Sequence, residues 1–130
     1  MEKELMHIGK LAKLTGITPR TIRYYEEISL LDLPKRSKSG TRIYDDDDYR
    51  RLKFILRLKD LGITLKEMQE IADLYQISRS TEHIMPMLID ILDKHIGNID
   101  NKISRITALR TDISSYRQRI LKRLNKSNFE

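Results

Sequence analysis

The side chains with the clearest chemical potential in this 130-residue chain lie close together near its start. Arginine, threonine and tyrosine all carry groups that donate hydrogen bonds to phosphate oxygens and to the edges of nucleic-acid bases. One short segment contains six of them: Thr18, Arg20, Thr21, Arg23, Tyr24 and Tyr25. Their order along a helix predicts that Thr18, Arg20 and Thr21 approach base edges, and that the other three contact phosphates.

A helix-turn-helix is predicted for residues 8–27. Four apolar residues at helical spacing predict its first helix: Ile8, Leu11, Ala12 and Leu14. Gly16 follows where a left-handed C-cap would end that helix. Thr18 has the right type for an N-cap, and Pro19 suits the first helical position. On the helices alone, a two-helix corner of some other small domain is an equal alternative.

A basic β-hairpin is predicted over residues 33–44, directly after the helix-turn-helix. Residues 37–40 form a polar tip rich in turn-forming types, and the residues after it favour strand. Such a wing can lie along the DNA backbone or in the minor groove. Four wing residues are predicted to contact DNA: Arg36, Lys38, Arg42 and Tyr44.

Neither the acidic residues nor the histidines predict a metal site. The run Asp45 to Asp48 precedes a helix, where Asp45 or Asp46 caps the N-terminus and the others favour the positive end of its dipole. His83 and His95 lie about three turns apart on one predicted helix, so they could meet only across a dimer. We therefore expect no metal and no other cofactor.

Taken together, the motifs resemble the MerR family of bacterial transcription regulators. The matching runs are Ile-Gly-Lys-Leu-Ala at 8–12, Gly-Ile-Thr at 16–18, Thr-Ile-Arg-Tyr-Tyr-Glu at 21–26, Leu-Leu at 30–31, Arg36, Arg-Ile-Tyr at 42–44 and Leu-Gly-Ile-Thr-Leu-Lys-Glu at 61–67. The resemblance covers residues 6–75. It implies a winged helix-turn-helix DNA-binding domain in which Lys66, near a helix N-terminus that itself favours anions, contacts a phosphate.

Further helices are predicted over residues 46–60 and 64–75, the second opened by a capping box of Thr64 and Glu67. A linker over 76–81 leads to one long helix over 82–124, roughly 60 Å in length, and a tail over 125–130. Apolar residues recur along this helix at the spacing of a coiled coil: Leu88, Leu92, Ile96, Ile99, Ile103, Ile106, Leu109, Ile113, Tyr116 and Ile120.

The expected fold is therefore mainly α: a winged helix-turn-helix DNA-binding domain followed by a long dimerisation helix that forms an antiparallel coiled coil. The resemblance implies a homodimer that binds an inverted repeat in double-stranded promoter DNA. It also implies that the dimer bends and untwists the promoter spacer so that RNA polymerase engages both promoter elements.

The trigger for such a switch is open on sequence grounds. A small-molecule effector is predicted to lie between the DNA-binding heads and the coiled coil, near Tyr75, His83 and Met87. The alternative is control by the concentration of the protein or by a partner protein. The chain contains no cysteine, so it should not sense mercury, copper or superoxide through thiolate chemistry.

Composition excludes several other classes of function. The net charge is +6, and residues 7–44 alone carry a net +5, as expected of a surface that meets a polyanion. No membrane-spanning or signal-peptide pattern is present, so we expect a cytoplasmic protein.

An architectural DNA-bending protein and a coiled-coil adaptor remain alternatives. No catalytic motif indicates an enzyme.

Overall fold

The computed structural model describes residues 5–129, with side chains as far as residue 127. Its elements are α1 (Ile8–Thr15), α2 (Pro19–Glu27), β1 (Lys35–Arg36), β2 (Arg42–Ile43), α3 (Asp46–Asp60), α4 (Leu65–Ser78) and α5 (Thr81–Phe129). The predicted mainly helical class is confirmed. The chain divides into two compact units: the head, up to Ile91, and the rod, from Leu92 onward, which consists of α5 alone.

Side-chain caps begin three helices of the head, and a glycine ends a fourth. Thr18 caps α2, Asp45 caps α3 and Thr64 caps α4, and each side-chain oxygen accepts the backbone N–H three residues further on. At α3 and α4 the cap is reciprocal, as in a capping box. Gly16 ends α1 in the left-handed region at φ +75°, where a side chain would be strained. These caps agree with the sequence predictions.

The core of the head forms where α1 packs against α2 and α3, and where α3 packs against α4. The largest fully buried side chains are Tyr44, Leu11, Ile22, Leu30 and Leu52. Leu14, which the sequence placed on the apolar stripe, is instead 50 % exposed. The buried face of α1 follows the helical spacing of Ile8, Leu11, Ala12 and Thr15, and Leu14 lies to one side of it.

The wing is a two-stranded antiparallel hairpin in which Lys35 pairs with Ile43 and Arg36 with Arg42. Gly40 closes its tip with φ +86°. A further contact was not predicted: Met6 exchanges two backbone hydrogen bonds of 2.8 Å with Tyr44, so the segment before α1 pairs with the end of the wing.

Two helices extend beyond their predicted bounds. α4 continues to Ser78, because no glycine or proline interrupts it after Tyr75, so only Arg79 and Ser80 remain of the predicted 76–81 linker. Arg79 ends α4 in the left-handed region at φ 53° and donates its backbone N–H to the Tyr75 carbonyl at 2.7 Å. α5 runs on to Phe129 through most of the predicted tail, whose last residue lies outside the described part of the chain.

Candidate nucleic-acid interface

One side of α2 presents polar side chains to solvent. Arg20, Arg23 and Tyr24 are exposed, and their spacing of three and four residues places them on one face of the helix. At the start of the helix the Thr18 hydroxyl accepts the Thr21 backbone N–H at 3.2 Å, and the two hydroxyls lie 3.0 Å apart. This face therefore combines two cations, one aromatic ring and the acid Glu27, with threonine hydroxyl groups at the capped start of the helix.

Two of the tyrosines predicted to contact DNA are buried instead. Tyr25 is 4 % exposed and Tyr44 is 2 % exposed, so both belong to the core of the head and leave the candidate interface. Tyr25 follows Ile22 by three residues and therefore shares its buried face. A tyrosine ring has a large apolar area as well as a polar tip, so residue type alone did not separate these two from Tyr24.

A buried polar cluster joins α2 to the wing. The Tyr44 hydroxyl donates a hydrogen bond to Oε1 of Glu26, whose side chain is only 5 % exposed. The Nε of Arg42 lies 3.6 Å from the other carboxylate oxygen of Glu26. Burial raises the pKa of the Tyr44 hydroxyl far above its usual range, and the hydrogen bond to Glu26 adds to this effect. Tyr44 is therefore a neutral donor at any physiological pH.

Glu26 is the residue that sequence reasoning missed as a positioning group, although it closes the Thr-Ile-Arg-Tyr-Tyr-Glu run. The available signal was its place four residues after Ile22, which puts an acid on the buried face of the helix. Arg42, predicted as a DNA contact, is partly engaged with this carboxylate. The buried Nε of Arg42 contacts this carboxylate as an ion pair without a hydrogen bond, and the contact of Arg42 with DNA stays a prediction.

Of the other cations of the wing, two form hydrogen bonds within the head and one is exposed at the tip. Arg36 donates from Nη1 to the Gly40 carbonyl at 2.7 Å and so braces the hairpin tip. Lys35 donates to Oδ2 of Asp45 at 2.9 Å, and this hydrogen bond lowers the pKa of the Asp45 carboxyl to about 2. Lys38 is exposed at the tip. Lys66 is likewise exposed, in the first turn of α4, where free backbone N–H groups favour an anion.

A cavity of about 440 Å³ lies within the head and is lined mainly by apolar side chains of α3, α4 and the start of α5. Tyr75 lines it, as the sequence prediction of an effector site requires. His83 and Met87 do not line it: His83 is exposed and Met87 is half-buried elsewhere on α5. The structure therefore does not bring the three predicted effector residues together.

An acidic residue at the cavity edge contacts several polar side chains, and the sequence did not predict these contacts. Asp32 accepts a hydrogen bond from Nε2 of Gln76 at 2.8 Å and lies 3.1 Å from Nη1 of Arg51. Arg79 reaches the same carboxylate at 3.7 Å. The guanidinium groups of Arg51 and Arg79 also lie 5.0 and 5.9 Å from the centre of the Tyr75 ring. These contacts join residues far apart in sequence, which no local pattern predicts.

The residues predicted for dimerisation fall into two groups. Leu88 is 8 % exposed and belongs to the core of the head, so its assignment to the coiled-coil stripe is wrong. From Ile96 to Ile120 the apolar residues of the stripe are between 44 and 66 % exposed, while Leu92 is half-buried. The rod therefore carries a long apolar face that the single chain leaves in water.

Within residues 5–129, no helix is both long and apolar enough to cross a lipid bilayer. In the same part of the chain, no three His, Asp or Glu side chains cluster in a way that could hold a metal ion.

Two protein-family models match the chain. The one described as MerR HTH family regulatory protein matches residues 6–74, and the one described as MerR, DNA binding matches residues 49–116. An HTH-type transcriptional regulator of Pseudomonas aeruginosa is 38 % identical over 81 % of this chain and 77 % of its own length. The HTH-type transcriptional regulator ZntR of Escherichia coli is 33 % identical over 93 % of this chain and 79 % of its own.

A solved structure of a similar fold also belongs to a MerR family regulator. HiNmlR, a MerR family regulator that lacks the sensor domain and was crystallised on promoter DNA, superposes with a TM-score of 0.61 at 25 % identity, over 78 % of this chain and 77 % of that one. All of these relatives are transcription regulators, a non-enzymatic class of protein. The chain therefore belongs to the MerR family of helix-turn-helix transcription regulators.

Proposed function

We propose that this MerR-family regulator is a homodimer whose two heads bind the two halves of an inverted-repeat operator. The observation that supports this most is the exposed face of α2, with Arg20, Arg23 and Tyr24 held beside the wing by buried Glu26. Helices placed in this way read base edges with their first residues and hold phosphates with the others.

The exposed apolar face of the rod favours dimerisation. Removing one leucine or isoleucine side chain from water contributes about 1.5–3 kcal/mol. The stripe from Ile96 to Ile120 repeats such residues along the whole rod, and the single chain leaves them at least 44 % exposed. Pairing with a second rod in antiparallel orientation buries this face and joins two heads in one dimer.

The operator lies in a promoter spacer, and binding bends and untwists it for RNA polymerase. Deforming DNA to this extent costs several kcal/mol. Additional phosphate contacts from Lys38 on the wing and Lys66 on α4 offset that cost. Support comes from HiNmlR, the similar regulator whose structure was solved on promoter DNA.

Transcription from a promoter with a varied spacer tests this proposal. We expect purified protein to change transcript levels at one spacer length and to lose the effect when two base pairs are added or removed. Circularly permuted fragments should reveal a bend at the operator. If the protein bends DNA without changing transcription, it is an architectural DNA-bending protein. If it does not bind DNA, it is a coiled-coil adaptor.

The cavity in the head is the effector site in the same proposal. Tyr75 and a mainly apolar lining suit a small apolar molecule, and Arg51 and Asp32 at the edge add polar contacts. Native mass spectrometry of the purified protein tests this. We expect a bound small molecule that Tyr75→Ala releases, whereas unliganded protein that still regulates transcription would point to control by concentration or by a partner protein.

A further inference from the structure

The apolar stripe of the rod is symmetric about its middle residue. It consists of nine residues: Leu92, Ile96, Ile99, Ile103, Ile106, Leu109, Ile113, Tyr116 and Ile120. The steps between them are 4, 3, 4, 3, 3, 4, 3 and 4 residues, which is the same series in both directions. A regular heptad repeat would alternate 3 and 4 throughout, so the phase of the repeat changes at Ile106.

This symmetry suits two antiparallel copies and one particular alignment. We propose that the rods of two chains pair with their two-fold axis at Ile106, which rests on the homodimer of the proposed function and fixes its register. Ile106 then faces its own copy, Ile99 faces the partner's Ile113, and Leu92 faces the partner's Ile120. Each apolar residue meets another apolar residue along the whole stripe, as knobs-into-holes packing requires.

On one side of the stripe, the charged residues that flank it form complementary pairs in this register. Asp93 and Asp100 each directly follow a stripe residue, and so do Arg110 and Arg117. In an antiparallel pair, positions on the same side of the stripe face one another across the interface. Asp93 therefore lies opposite the partner's Arg117, and Asp100 lies opposite the partner's Arg110.

On the other side of the stripe, the flanking residues also face residues of the same side in the partner. Lys102 and Asp112 each directly precede a stripe residue, and the register places Lys102 opposite the partner's Asp112. His95 and the partner's Arg119 form the remaining pair, which lacks opposite charges. Three of these four kinds of pair are therefore complementary, and each occurs twice in the dimer, whereas Arg105, directly before Ile106, lies near its own copy at the axis.

Other arrangements lose these features. Residues 101–127 contain eight lysine or arginine residues and one aspartate, so parallel rods would place two strongly basic segments side by side. Sliding the antiparallel rods by one heptad puts Lys102 opposite the partner's Ile103, or Arg110 opposite the partner's Leu109, in the middle of the interface. Such a slip also displaces one rod along the other by about 10 Å, which would change the spacing of the two heads on DNA.

Cysteine cross-linking tests the register directly, because the natural chain contains no cysteine. We expect Ile106→Cys to give covalent dimers with a short thiol cross-linker. Ile99→Cys alone should not, because its copy would lie about 21 Å away along the rod. A mixture of Ile99→Cys and Ile113→Cys chains should cross-link as a heterodimer, with neither protein doing so alone.

The outcomes separate the register from the proposed function. If Ile106→Cys protein is dimeric and binds its operator but does not cross-link, the register is refuted and the proposed function stands. If Ile99→Cys cross-links with itself, the two-fold axis lies elsewhere. Wild-type protein that is monomeric at operator-binding concentrations would refute the proposed homodimer itself.

Charge reversal gives an independent readout of the same alignment. Asp100→Arg places like charges together twice per dimer, and we expect it to raise the dimer dissociation constant about tenfold. Adding Arg110→Asp should restore wild-type dimerisation. Lys94→Glu, at an exposed rod position away from the stripe, is the matched control and should change little. A double variant no tighter than Asp100→Arg alone would contradict the pairing.

Discussion

The Tyr44 hydroxyl donates a hydrogen bond to the Glu26 carboxylate inside the core of the head. Tyr44 ends the wing, and Glu26 lies on the buried side of α2, three residues after the exposed Arg23. One buried hydrogen bond therefore joins α2 to the wing. DNA binding should depend on this pair even though neither side chain reaches the surface.

Removing this hydroxyl should destabilise the head. Tyr44→Phe leaves the buried Glu26 carboxylate without its neutral donor, and we expect a loss of about 1.5–3 kcal/mol in the free energy of unfolding. Urea denaturation followed by circular dichroism measures it. Tyr24→Phe is the matched control, since Tyr24 is 45 % exposed and should change stability by less than about 0.5 kcal/mol. Equal losses in both variants would show that the buried hydrogen bond is unimportant.

The exposed arginines of α2 should contribute through charge. Arg23→Ala should weaken operator binding and reduce the slope of log Kd against log salt concentration by about one unit, because one phosphate contact is lost. Arg20→Ala should in addition relax base preference near one position of each half-site. Lys94→Ala removes an equal charge from the rod and serves as control. An unchanged salt slope in Arg23→Ala would remove that residue from the interface.

The Lys35–Asp45 contact makes stability depend on pH in acid. Because Lys35 holds the pKa of Asp45 at about 2, below its value in the unfolded chain, the pair stabilises the fold above about pH 4. This contribution is lost as the pH falls from about 4 through 2. We expect it to amount to roughly 1–2 kcal/mol, since Lys35 is 64 % exposed and solvent screens the pair.

Asp45→Asn isolates this effect, because asparagine retains the N-cap of α3 but cannot pair with Lys35 as an anion. The stability difference between wild type and Asp45→Asn should shrink between pH 4 and 2. Burial raises the pKa of Asp48, so the titration of Asp48 acts on stability in the opposite sense. Asp46→Asn, at an exposed position, is the control. A stability difference that is constant with pH would contradict the ion pair.

Leu88 and Ile99 should behave differently although both fit one apolar repeat. Leu88→Ala opens a cavity in the head and should cost about 2–4 kcal/mol of its unfolding free energy. Ile99→Glu places a charge on the exposed stripe, so sedimentation velocity should show monomers while the thermal melting of the head is retained. Dimers of unchanged affinity in Ile99→Glu would remove the stripe from the interface.

Sequence reasoning succeeded where the governing interactions are local. Gly16, Thr18 and Thr64 end or begin helices through contacts with residues at most four positions away, so their types and spacing were sufficient. For the cap of α3 the sequence left Asp45 and Asp46 open, and the structure shows Asp45. The helical class followed for the same reason, since the apolar period sets which face of a helix is buried.

It failed where the partner is distant in sequence. Tyr24, Tyr25 and Tyr44 have the same chemistry, and only packing in three dimensions exposes the first and buries the other two. The convergence of Arg51, Gln76 and Arg79 on Asp32 also depends on tertiary structure. Leu88 continued the repeat of the rod, yet the head buries it.

Selection of DNA from a random pool by the purified protein, followed by hydroxyl-radical footprinting of the selected sites, tests the central claim most directly. Two heads on antiparallel rods predict an inverted repeat with one fixed half-site spacing, protected symmetrically about its centre, and no enrichment by an Arg20→Ala, Arg23→Ala variant. Enrichment of a single asymmetric site, or of no site at all, would contradict the account.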